Sequence, residues 1–183
     1  MENTKNGSST PTQKEDTQKN LFGKDAIKKM KAIASSAETG FLCTNIKTGL
    51  PLSIRPMALQ QIDDEGNVWF MDLKDSGKEA EIKKDPFTHV LFQESKHSGF
   101  LNIYGISEIV RDQAKIDELW TPAAKVWFQG GKDDPNISLI KVVPTHVHYW
   151  DNKHGDMIAF VKMAAAIVTG KTMDDGVEGK LDF

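Results

Sequence analysis

The sequence predicts a mainly β domain, an antiparallel sheet closed into a barrel with flanking helices. Three observations predict it. Six or seven short runs rich in β-branched and aromatic residues fill the middle of the 183-residue chain. The segments between them, "KTG", "DEG", "KDP" and "KHSG", are short and carry turn residues, so neighbouring strands join by hairpins and run antiparallel. Helical spacing is confined to the ends of the chain and to the crossings, and strands so arranged commonly close into a barrel.

The elements follow in order. Residues 1–20, "MENTKNGSSTPTQKEDTQKN", contain no apolar residue after Met1, which excludes a signal-peptide core and reads as a disordered, solvated leader. In 21–40, Ile27, Met30, Ile33 and Ala34 recur at helical spacing with lysines opposite, and Gly40 ends the helix. Strands are expected at "GFLCTNI", "LPLSIRPMALQQID", "NVWFMDL", "THVLFQES" and "GFLNIYGISEIVRD". A short helix, "DSGKEAEIKKDP", interrupts them and stops at Pro86. "QAKIDELWTPAAKVWF" begins as a helix and breaks at Pro122, "QGGKDDPN" is a loop, and "ISLIKVVPTHVHYWD" is a last long strand. "GDMIAFVKMAAAIVTG" closes the domain as a helix ending at Gly170. The domain therefore spans 21–170, and 171–183 is a C-terminal tail. The run Phe100 to Val110 is apolar on both strand parities, so it needs cover on two sides, one of them another subunit.

Composition excludes several function classes. The formal charge is −3, which provides no basic excess for general nucleic-acid binding. One cysteine, Cys43, rules out an intrachain disulfide, and its apolar setting reads as a small buried hydrophobe. No run approaches the roughly 20 apolar residues of a membrane span. Cytoplasm is the default location.

Two stretches carry candidate chemistry. Of the 23 basic residues only two are arginines, Arg55 and Arg111, and Arg55 lies inside an apolar strand beside Pro56. Proline has no N–H for a ladder and belongs at an edge or bulge. An irregular strand that aims a guanidinium suits a planar or multi-oxygen anion; the competing reading is a surface arginine on an edge strand. In "WFMDLKDSGKEAEI", Ser76-Gly77-Lys78 opens a helix whose amides, hydroxyl and ammonium suit a phosphate; the competing reading is a serine N-cap beside a solvated lysine. Both features lie on strands joined by the "DEG" hairpin and can converge on one phosphate. His146 and His148 alternate onto one strand face, a spacing seen in metal sites, but His89, His97 and His154 are scattered and no metal site is assigned.

The ordered set "SIRPMAL", "GNVWFMD", "DSGKEAEIKKDP", "GFLNIYGISEIVRD", "ELW…WF.GG…DP" and "YWD" resembles the general stress protein branch of the pyridoxamine 5′-phosphate oxidase-like flavoproteins, which are FMN-binding split barrels. The match runs from about residue 22 to about 168. The resemblance implies that Arg55, Ser76 and Lys78 hold the FMN phosphate, with FAD an alternative cofactor. It implies that Pro56 and Met57 form the irregular strand beside the flavin, and that Met71 and Asp72 lie where the next strand passes the ribityl chain and ring. Trp150 corresponds to an aromatic that reaches the flavin of a partner subunit, in a homodimer with flavin at the interface. Trp120, Trp127 and Phe128 fall in an aromatic loop of this branch, with Trp127 at the ring. True pyridoxamine 5′-phosphate oxidases carry further arginines towards the C-terminus, and this chain has none after Arg111. The expectation is an FMN-dependent oxidoreductase acting on a small molecule, of unassigned catalytic residues, involved in stress response. A non-catalytic flavin carrier or sensor is the alternative, and a haem- or metal-binding barrel a weaker one.

Overall fold

The computed structural model describes residues 17–48, 50–74, 76–94, 99–152 and 176–183. The expected helix at 155–170 and most of the expected leader lie outside these residues. Among the described residues, eight strands and three α-helices follow in the order β1 (Leu21–Phe22), α1 (Gly23–Ala37), β2 (Thr39–Thr44), β3 (Ser53–Ile62), β4 (Val68–Leu73), α2 (Lys78–Lys84), β5 (Phe87–Gln93), β6 (Phe100–Val110), α3 (Gln113–Leu119), β7 (Ile137–Asn152) and β8 (Gly176–Asp182). A 3-10 turn at Pro122–Val126 follows α3, where the proline was expected to break the helix.

The pairing order β7-β4-β3-β2-β5-β6 returns to β7, closing a six-stranded antiparallel barrel. At 16 residues, β7 is long enough to serve three partners. One edge pairs with β6; the other pairs with β4 through Ile137–Val142 and with β8 through Val147–Asn152. A full turn of strands leaves the barrel closed apart from the unpaired stretch between β3 and β4.

Alternation along each strand separates two faces. Leu42, Val90, Ile103 and Val147 stand opposite one another in register and are buried inside the barrel. Met30, Ile33 and Ala34 of α1 pack into the same core. Burying each large side chain contributes about 1.5–3 kcal/mol. A second core lies outside β4 and β7, where Trp69, Met71 and Leu139 meet Ile116, Leu119 and Phe128.

Three expectations about local structure change. Gly40 does not end α1; it lies in β2, where a Cβ would come within 2.7 Å of the Phe92 ring. Residues 176–182, read as tail, form β8, antiparallel to β7 and parallel to β1. Residues 17–20, read as leader, run along β8, with Lys19 N–H donating to the Glu178 carbonyl at 2.8 Å and Glu178 N–H donating to the Thr17 carbonyl at 2.8 Å. Gly179 permits this approach, because a Cβ there would collide with the Lys19 carbonyl.

The outer parity of β6 is not covered within one chain. Leu101 and Ile103 are buried, while Phe100 and Ile106 on the other face are exposed. Among the described residues no helix is long and apolar enough to cross a membrane.

Candidate functional site

β3 and β4 pair only over Leu59–Ile62 and Val68–Phe70, with a bulge between Leu59 and Gln61. Beyond Leu59–Phe70 the ladder stops. Ser53–Ala58 keeps β2 on one side and has no strand on the other, and Met71–Leu73 has no partner towards β3. Pro56 sits in this half-ladder, opposite Phe41, where an absent N–H costs the second ladder nothing. The expected edge and the expected bulge are both present. The opening between the two strands is where the candidate anion-binding residues gather.

Arg55 faces the barrel interior, in register with Leu42, at the end of the sheet where α2 packs. Its Nη1 donates to Glu81 Oε2 at 2.8 Å and its Nη2 to Glu81 Oε1 at 2.7 Å. A further bond joins Nη1 to Thr44 Oγ1 at 3.1 Å. Thr44 Oγ1 in turn donates to Glu81 Oε2 at 2.5 Å, and Ser53 Oγ donates to Glu81 Oε1 at 3.3 Å. These donors, the Arg55 guanidinium first, hold the Glu81 carboxyl below its ordinary range.

Asp72, on the inner parity of β4, anchors the second group. It accepts from Ser76 Oγ at 2.7 Å and pairs with Lys78 Nζ at 2.9 Å, and its side chain is only 4% exposed. Ser76 is therefore not the N-cap of α2. Gly77 takes that place with φ 81°, a left-handed conformation that suits glycine, and no side chain caps the helix. With seven residues, α2 is short, so the anion-seeking character of this end rests on side chains.

The two groups share α2: Lys78 opens it and Glu81 lies one turn on. Arg55 is thus joined to α2 through Glu81, and Ser76 and Lys78, at the start of α2, are joined to β4 through Asp72. Both cations already carry a carboxylate partner, which the sequence did not suggest. Glu81 was missed because "KEAEIKK" reads as a solvated helix with Glu79–Lys83 spacing, and nothing in it marks Glu81 as the residue turned towards the sheet. The other arginine, Arg111, pairs with Glu79 at 2.7 Å.

The remaining candidates lie elsewhere. Met57 belongs to the barrel core, and Met71 to the second core, on the face of β4 opposite Asp72. Pro56 is exposed on the outer face. Of the aromatic loop, Phe128 is buried with Trp120 against it at 6.2 Å between ring centroids, whereas Trp127 is 75% exposed. Trp150 is 40% exposed and stacks at 4.6 Å on His148. It stands on the outer parity of β7, in the half that pairs with β6 and β8, whereas Arg55 stands on the inner parity of β3. One chain therefore does not bring Trp150 to Arg55. His146 and His148 do share a face, with His89 and Tyr104 beside His146, but among the described residues no group of three metal-binding side chains gathers.

A closed six-stranded antiparallel barrel with a gap between two of its strands and flanking helices defines a split barrel. The family model for pyridoxamine 5′-phosphate oxidase-like proteins matches residues 25–174, and the chain belongs to that family. Among solved structures, the chain is similar to a general stress protein 26 from Jannaschia sp. CCS1, at 24% identity and TM-score 0.70, covering 85% of this chain and 99% of that one. It is similar to a general stress FMN/FAD binding protein from Xanthomonas citri, at 29% identity and TM-score 0.61, covering 73% and 93%. It is also similar to a general stress family protein from Xanthomonas campestris pv. campestris, at 30% identity and TM-score 0.60, covering 70% and 88%. No curated protein matches significantly.

Proposed function

We propose that the chain binds FMN in the opening between β3 and β4, with the phosphate on Arg55, Ser76 and Lys78. The observation that carries this reading is that all three side chains are tied to α2 or its approach beside the unpaired stretch between β3 and β4. The side chains fit the group: a guanidinium, an ammonium and a hydroxyl complement a phosphate close to a dianion. Arg55–Met57 and Met71–Asp72, paired on their far sides with β2 and β7, border the opening with an edge that no strand pairs, suited to the polar rim of a flavin. The X. citri relative is described as binding FMN or FAD, so FAD is the alternative cofactor.

The active form is a homodimer. Phe41, Ile54, Leu91 and Phe100 expose apolar surface across the outer faces of four adjacent strands, with Phe41 in register with both Pro56 and Leu91. A second copy is the occupant that fits: it would cover this face and supply Trp150 and Trp127, both exposed in one chain.

When bound, the isoalloxazine supplies the electron transfer, and the protein binds, orients and shields it. The activity we assign is an FMN-dependent oxidoreductase of small molecules, linked to stress response through its named relatives. A non-catalytic carrier or sensor is the second reading. One observation favours it: Arg55, Glu81, Asp72 and Lys78, the charged side chains described at the opening, are all engaged in ion pairs and none is left as a free acid or base. The deciding experiment is the visible spectrum of the purified protein, release and identification of the chromophore, then reduction by nicotinamide nucleotides with a small acceptor. Turnover supports the oxidoreductase; a flavin that stays oxidised supports the carrier. A Soret band in place of flavin absorption overturns both.

A further inference from the structure

We propose that Glu81 is a positioning residue for the ligand phosphate: it grips one edge of the Arg55 guanidinium so that the other edge is presented to two phosphate oxygens. This rests on the phosphate site proposed above. A guanidinium has five N–H groups. Glu81 takes one from Nη1 and one from Nη2, and Thr44 takes the second from Nη1. What remains is Nε–H and the adjacent Nη2–H, a parallel pair without a partner among the described residues. That pair has the spacing for a bidentate bond to phosphate.

The grip is itself fixed in direction. Asn45 Nδ2 donates to Ser53 Oγ at 3.1 Å, which directs the Ser53 proton to Glu81. Thr44 Oγ1 accepts from Arg55 and spends its only proton on the same carboxylate. Glu81 can satisfy all four donors only as an anion, so the carboxylate, the threonine and the guanidinium lock in one arrangement before any ligand arrives. Asp72 treats Lys78 and Ser76 in the same manner. The two carboxylates cancel the two cations, so phosphate is selected by the direction of its donors more than by net charge.

The test measures dissociation constants for FMN and for riboflavin, which lacks the phosphate, in the full chain and in Glu81→Gln, Thr44→Val, Thr44→Ser and Arg55→Ala. The expected result is a fall of about tenfold or more in the FMN-over-riboflavin preference in Glu81→Gln. Riboflavin affinity should be unchanged, which also reports that the pocket is folded. Thr44→Val should lose a smaller part of the preference and Thr44→Ser restore it, which gives a readout if Glu81→Gln does not fold. A preference unchanged or increased in Glu81→Gln overturns the proposal, an increase meaning that Glu81 competes with phosphate for Arg55. Arg55→Ala separates the two levels. If it leaves the preference intact, the phosphate site itself is wrong and the proposal falls with it. If it abolishes the preference while Glu81→Gln does not, only the positioning role is wrong.

Discussion

Replacing Arg55 removes a charge, a planar donor set and the partner of a part-buried carboxylate together. Arg55→Ala should weaken FMN binding by about a hundredfold or more, since each charge-assisted contact is worth roughly 1.5–3 kcal/mol. Arg55→Lys keeps the charge without the fork and should fall between. Titration calorimetry checks both, and parental affinity in both variants would leave Arg55 a structural residue only. The Glu81 carboxyl also makes a pH prediction. Its folded-state pKa lies below the unfolded value of about 4.3, so its stabilisation is fully present above that pH and is lost as pH falls through the folded value. Glu81→Gln should therefore be less stable than the parent at pH 7, and lose less stability between pH 5 and pH 3. Thermal denaturation across that range is the measurement; parallel curves would reject it. At this scale the sequence singled out Arg55 by its rarity among lysines, and Ser76 and Lys78 by position, as candidates. It could not reveal that each cation is already paired, because those pairs join residues brought together only when α2 packs on the sheet.

The barrel strands were legible because each is a β-branched or aromatic run closed by turn residues. β8 was not. "GVEGKLD" has two glycines, a charged residue at every second or third position and little β propensity, so it reads as a tail. Tertiary context decides it: β7 extends past β4 and offers a free edge, and Leu181 enters the barrel core. Gly179 then admits residues 17–20 alongside. Gly179→Ala would push a methyl into the Lys19 carbonyl, which accepts from Tyr149 Oη at 2.7 Å. The strain should cost about 1–3 kcal/mol and lower Tm by a few degrees. A calorimetric Tm equal to the parent's would show that the N-terminal segment yields freely.

The molecule as a whole leaves one broad sheet face apolar and two tryptophans, Trp127 and Trp150, exposed. The homodimer proposed above would account for both. Phe41→Lys puts a charge at the middle of that face, on a side chain 51% exposed in one chain, so the fold should survive while assembly fails. Light scattering with simultaneous flavin absorbance should show the mass halved and the bound FMN lowered. A monomer that keeps its full FMN complement would remove the partner role from Trp150 and Trp127. The sequence hinted at this face through the double-sided apolarity of Phe100–Val110, but which parity stays uncovered depends on how the barrel closes.

The pairing of β1 with β8 joins Leu21 to Leu181, and Lys180 N–H bonds Asn20 across a separation of 160 residues. Closing so long a loop gains its contacts only after nearly the whole chain is in place, whereas the hairpins β2–β3, β3–β4 and β5–β6 close over short spans. The seam between the two ends is thus expected to form last and to open first. In native-state hydrogen exchange, amides of residues 19–22 and 177–182 should exchange through partial opening well before Leu42, Val90 and Ile103, which wait for global unfolding.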